Sequence, residues 1–442
     1  METVLLYVVG IAVVALGLVI SIALHEVGHL LPAKLFGVRV SQYMIGFGPT
    51  LWSRRKGETE YGVKAIPLGG YVAMSGMYPP ARPGGKPREA STGFFQSMIE
   101  DARAANQQTV VTGEEHRTFY NLPILKRIVI MLGGPFMNLV IAVVLFGVVL
   151  CGFGVQQPST TIGAVSECLL PATSERTECL PGDPLAPGAA AGVLPGDRLL
   201  SVDGVAITEW MASTRLIQQS AGEPLSIIVE RDGRELPLTL TPAPTERFQF
   251  TDDGELVTDA AGEPLTHVVG MIGITAAYEA VPQPVTAVLP AVWDNTVAVG
   301  NIILNLPQRM VDIANAAFGP EERDPNGPLS VVGVGRIAGE ITSINTIPIA
   351  DRVSYLLGLI GSVNIALLVF NLIPLMPLDG GHVAGALWEG IRRFFAKLFG
   401  RRDPGPVDTA KLIPLTLTVV VLLGAMSLLL IYADIVKPIS IL

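Results

Sequence analysis

His25-Glu26-Val27-Gly28-His29 places two imidazoles and a carboxylate in a segment that has no structural use for charge. From Val4 to Leu24 no charged residue occurs, and that run is long enough to cross a bilayer. An ionisable cluster at membrane depth is costly and marks a functional site. On a helix, histidines four positions apart share one face, where both rings can bind a single Zn2+. The glutamate beside them is placed to take a proton from water at the metal. Gly28 would leave room next to the ion. The plain alternative is a chance match on a core helix.

Two histidines do not complete a site, because a catalytic zinc takes three protein ligands and keeps one position open. The run Asn371-Leu372-Ile373-Pro374-Leu375-Met376-Pro377-Leu378-Asp379-Gly380-Gly381-His382 closes another apolar segment. Pro374 and Pro377 break that helix and free backbone groups. Asp379 carries a carboxylate to the side His25 and His29 reach, and reads as the third ligand; a helix cap at the membrane surface is the alternative. His382 could be a fourth ligand, but the need for an open position argues for a capping role.

The elements that must hold these residues are membrane helices. Half of the 442 residues are hydrophobic, and the mean hydropathy is +0.49, values of a polytopic membrane protein. Four transmembrane helices are expected, in 1–31, 124–153, 351–381 and 412–436. The first lacks a basic start and an A-x-A cleavage site, so it is expected to stay attached. Residues 32–123 carry 11 Lys+Arg against 7 Asp+Glu, whereas 154–351 carry 9 Arg against 25 acidic residues. The positive-inside rule then puts 32–123 and the basic loop 382–411 in the cytoplasm and the acidic region outside. This acidic balance argues against nucleic-acid binding.

Between the spans, β-prone runs at 38–52 and 61–72 flank a Gly57 turn and predict a membrane-associated β-hairpin. Residues 79–118, rich in Pro, Gly and charge, read as a mobile loop. Gly133-Gly134-Pro135 is expected to interrupt the second span. In the outward region 154–275, Cys168 and Cys179 read as a disulfide in an oxidising compartment, with zinc binding by the pair as the weaker reading. The strand and turn pattern over 160–242 resembles a bacterial-protease PDZ domain, an α/β module that binds peptide ends; another small β-rich domain is the alternative. Residues 276–350 are expected to be amphipathic helix, at the membrane interface or on the bundle.

With H-E-x-x-H on the first span and N-x-x-P-x-x-x-L-D-G on the third, the chain resembles the site-2 protease family of intramembrane zinc metalloproteases. The likeness extends to Phe36-Gly37-Val38, Gly69-Gly70-Tyr71-Val72 and Gly327-Pro328-Leu329-Ser330, and is greatest to actinobacterial enzymes of regulated intramembrane proteolysis. The resemblance implies His25, His29 and Asp379 as zinc ligands and Glu26 as general base. It implies Asn371 as a substrate contact, otherwise a helix–helix hydrogen bonder, and it makes Pro374 part of the substrate-binding segment. It further implies single-pass membrane substrates resembling anti-sigma factors, pre-cut by a site-1-type protease, at the plasma membrane. A metal transporter and a non-catalytic PDZ scaffold are the rival readings; neither needs Glu26 as a base.

Overall fold

The computed structural model describes residues 2–79, 109–111, 113–174, 176, 178–251, 256–259, 263–320, 322–324 and 327–439. Residues 80–108 of the loop expected at 79–118 lie outside the described residues. The chain divides into two compact units, one of 1–153 with 284–442 and one of 154–283.

The first unit opens with α1 (Glu2–Leu35), which carries His25 and His29 near its end. A hairpin of β1 (Val40–Lys56) and β2 (Thr59–Met74) follows, closed by a two-residue turn with Gly57 at φ +63°. Val38, Val40, Tyr43 and Met74 bury against Leu30 and Ala33 of α1 and against Ile130 and Met131. That packing fixes the hairpin beside the last turns of α1. Then α2 (Ile124–Gly147) ends in a π-helical turn, Val148–Phe153. The expected interruption at Gly133-Gly134-Pro135 is absent: α2 is continuous through Pro135. The glycines serve close approach instead. A Cβ on Gly28 would strike the Gly133 carbonyl, and one on Gly133 would strike the Gly28 carbonyl, so α1 and α2 touch backbone to backbone.

The second unit is β-rich. β3 (Val155–Val165) precedes a short helix α3 (Pro187–Ala190), β4 (Arg198–Val202), β5 (Val205–Ala206), α4 (Trp210–Gln219), β6 (Leu225–Arg231), β7 (Arg234–Leu240), β8 (Ala243–Phe248), β9 (Thr266–Met271) and β10 (Ile274–Val281). One sheet runs β10-β3-β4-β6-β7 with β5 on β4, and β8 pairs with β9. Ile162, Leu199, Val202, Ile227 and Val229 form its core with Ile217 of α4. The buried Asp197 carboxylate accepts from Arg231 Nε and Nη2, both at 2.7 Å, and from Leu194 N at 2.9 Å. Cys168 and Cys179 are joined by a disulfide. The expected boundary at 275 is too early, because β10 pairs its end, Val281, with Val155 at the start of β3.

The first unit resumes with α5 (Val288–Leu304), α6 (Leu306–Phe318), α7 (Val331–Ser343), α8 (Ile349–Leu372), α9 (Asp379–Leu398) and α10 (Ile413–Val436). Among the described residues five helices, not the expected four, are long and apolar enough to cross a membrane. The additional one is Val285–Leu304, with a mean hydropathy of 1.4 against 2.1 to 2.8 for the others. It begins near the end of α2, while α6 finishes against Leu430 and Ala433, near the end of α10. Phe146 of α2 packs on Gly361 of α8. Two further expectations fail together. The third span stops at Leu372, where Pro374 and Pro377 remove backbone donors, so Asp379 begins α9 and does not end the span. The expected basic loop 382–411 is helical as far as Leu398.

Candidate active site

The end of α1, the glycines of α2, the hairpin and the start of α9 meet at one place. His25 Nε2 and His29 Nε2 are 3.3 Å apart, and each lies 3.4 Å from Asp379 Oδ2. These are the only three described residues whose His, Cys, Asp or Glu ligand atoms form such a cluster. Their triangle fits zinc closely. Ligands at about 2.0–2.1 Å from one tetrahedral centre stand about 3.3–3.4 Å apart. Asp379 Oδ2 is buried without a hydrogen-bond partner, an unsatisfied acceptor that a cation would satisfy.

The orientation of each donor has a cause. His29 Nδ1 donates to the carbonyl of Ile130 on α2 at 2.8 Å, which fixes the tautomer and leaves the Nε2 lone pair free. A Cβ on Gly134 would strike the His25 and His29 rings, so α2 presents a bare backbone to both. Asp379 is aimed by the fold-back at its helix start. Gly380 and Gly381 lie against the backbone of 372–376, where side chains would collide. Two neutral imidazoles and one carboxylate give a donor set of net charge −1, suited to a divalent ion in a low-dielectric site.

Glu26, adjacent to His25, faces the hairpin. A Cβ on Gly70 of β2 would meet its Cγ and Oε1 at 2.9 and 3.3 Å. Tyr43 of β1 donates its hydroxyl to the Ala23 carbonyl at 2.8 Å, pinning the hairpin to the turn of α1 before the site. The space expected beside Gly28 is filled by Gly133 of α2. His382, one turn into α9, stands outside the three-donor cluster. Asn371 is half-buried in the last turn of α8, and Pro374 is exposed just beyond it. His116 lies in the 3-10 turn Glu115–Arg117 and His267 on β9 of the other unit, and neither belongs to the three-donor cluster.

Sequence reasoning missed Ile130, Gly134, Gly70 and Tyr43, all of which orient or make room for a site residue. The doublets Gly133-Gly134 and Gly69-Gly70 were the visible signal, since paired glycines in apolar surroundings mark close backbone approach.

The profile of peptidase family M50 matches residues 13–401. The chain belongs to peptidase family M50. Zinc metalloprotease Rip1 of Mycolicibacterium smegmatis is 34% identical over 450 residues, covering 98% of each chain. Rip1 of Mycobacterium tuberculosis strain H37Rv is 33% identical over 446 residues, with 98% and 99% covered. Metalloprotease MmpA of Caulobacter vibrioides is 28% identical over 383 residues, 85% of each chain. This M50 member is a multi-pass membrane metalloendopeptidase of the site-2 protease type, with zinc as its cofactor.

Proposed function

We propose that the chain hydrolyses a peptide bond in or near the transmembrane helix of single-pass membrane proteins, with His25, His29 and Asp379 holding the zinc and Glu26 as general base. The observation that carries this reading is the 3.3–3.4 Å triangle of donors at the end of an apolar helix, with Glu26 beside it. When bound there, zinc supplies Lewis acidity that polarises the scissile carbonyl and acidifies a water. Glu26 accepts the proton of the attacking water and passes it to the departing amine nitrogen. The Ile130 carbonyl keeps His29 in one tautomer throughout.

A substrate helix satisfies its carbonyls internally and must unwind before attack. The hairpin offers a strand edge to the unwound piece, and Asn371, which makes no side-chain hydrogen bond among the described residues, is free to pair with an exposed backbone group, with Pro374 beside it. The charge pattern supports a cytoplasmic-side metal centre and an outward β-rich unit, and the strand and turn pattern of 160–242 supports a PDZ role for that unit. Substrates are of the anti-sigma-factor type, shortened first by a site-1-type protease.

The test is a Glu26→Gln variant. It is expected to retain zinc and to lose cleavage of a reconstituted transmembrane substrate by about 10²-fold or more. Membrane proteins that accumulate in cells carrying it would reveal the substrates. Cleavage at the wild-type rate would overturn the mechanism.

A further inference from the structure

The helix α9 that begins with Asp379 has a second face that the hydrolytic chemistry does not use. Leu387, Trp388, Ile391, Phe394, Phe395 and Leu398 are all exposed, Phe394 at 64%. At about 100° per residue they form one stripe about 120° wide. Lys397 lies beyond one edge of the stripe and Arg392 beyond the other. The following turn adds Arg401 and Arg402. Lys397, Arg401 and Arg402 are exposed and make no ion pair among the described residues. Glu389, within the helix, is fully buried and faces inward, paired with Arg127 and Arg393, and the exposed Asp403 after Arg402 lies 3.4 Å from Arg393. Beside the stripe an open groove of about 440 Å³ is lined by Ile124, Ile128, Leu387, Ile391, Phe394 and Phe395.

Apolar stripe, flanking bases and an inward-turned acid are the features of a helix that lies in a membrane surface rich in anionic lipid. A water-facing helix would not expose six large apolar side chains, and a purely lipid-buried one would not flank them with unpaired bases. We propose that α9 docks on an anionic leaflet, with acyl chains in the Ile128–Phe394 groove and headgroup phosphates on Lys397, Arg401 and Arg402. Docking holds the helix at one depth and so positions Asp379 against His25 and His29. The positioning step rests on Asp379 being a ligand; the docking step does not.

The experiment uses the full chain in nanodiscs of phosphatidylcholine alone or with phosphatidylglycerol. Quenching of Trp388 by brominated acyl chains is read as the difference between wild type and Trp388→Phe. Zinc retention against a chelator is measured in the same discs. Phosphatidylglycerol is expected to deepen the quenching and slow zinc loss, and salt to reverse both. With about fivefold in docking equilibrium per base near the surface, the variant Lys397→Gln/Arg401→Gln/Arg402→Gln should lose on the order of 100-fold. Quenching that ignores phosphatidylglycerol or the triple variant would refute docking. Lipid-dependent quenching with unchanged zinc retention would refute the positioning role. Phe394→Cys cross-linking two copies across this face would assign it to self-association and overturn the proposal. None of these readouts depends on cleavage.

Discussion

At the residue scale the site is a matter of ångströms set by backbone as much as by donors. His25→Ala, His29→Ala and Asp379→Ala each remove one corner of the triangle and should lower bound zinc, measured by metal analysis of purified protein, while Glu26→Gln keeps it. A less obvious expectation concerns Gly134. Its Cα faces both imidazoles, so Gly134→Ala should push the rings off their shared point and weaken zinc binding by about tenfold or more, with helix content unchanged. Gly147→Ala, on the same helix with nothing within 4 Å of an added Cβ, is the control and should be silent. Equal zinc affinity in the two variants would show that the rings tolerate the displacement.

At the element scale, buried ion pairs lock helices that propensity alone would leave free. Arg127 of α2 and Glu389 of α9 pair in the interior, and Glu389 also accepts from Val407 N at 3.0 Å. Removing one partner strands the other charge, at a cost of about 3–5 kcal/mol. Glu389→Ala should therefore loosen α9 and speed zinc loss, although Glu389 is itself no ligand. In the β-rich unit, the Arg231 guanidinium holds the Asp197 carboxyl below the usual carboxylate range. Asp197 then stays ionised in the fold at a pH where the unfolded chain has taken up the proton. Its contribution is present above the ordinary Asp pKa of about 4, reaching its full size about a unit higher, and is lost as the pH falls through the folded-state value. Asp197→Asn should flatten that acid limb, read by pulse proteolysis of fragments from 154–283 across pH.

These elements also show what could be read from sequence. H-E-x-x-H and the Pro-Leu-Asp-Gly segment announce their chemistry locally, through residue type and spacing. The Arg127–Glu389 pair joins positions far apart in sequence, and no local pattern couples them. Gly133-Gly134-Pro135 is ambiguous in sequence, because glycine and proline signal a break and a close approach with the same letters. In sequence α9 reads as a loop because its bases dominate the composition, while the apolar stripe emerges only at helical spacing. Val285–Leu304 was too weakly hydrophobic to stand out as a long apolar helix.

At the scale of the whole molecule, the two units obey different physics. The β-rich unit carries the disulfide, and the only other cysteine, Cys151, is free in the π-helical end of α2. Reduction should lower the stability of the 154–283 unit by about 2–3 kcal/mol. Zinc content should not change, because the three donors belong to the other unit. Alkylation without reductant should label Cys151 alone; three labelled cysteines in protein taken from intact membranes would contradict the pairing. The order of the donors along the chain has a consequence for biosynthesis. His25 and His29 leave the ribosome first, and Asp379 follows only after the second membrane helix, the entire β-rich unit and α8. At about 5–20 residues per second that delay is tens of seconds. If Asp379 completes the metal centre, a half-made chain is inserted in the membrane beside other nascent helices without the means to cut them, and the enzyme becomes dangerous to its neighbours only when it is nearly finished.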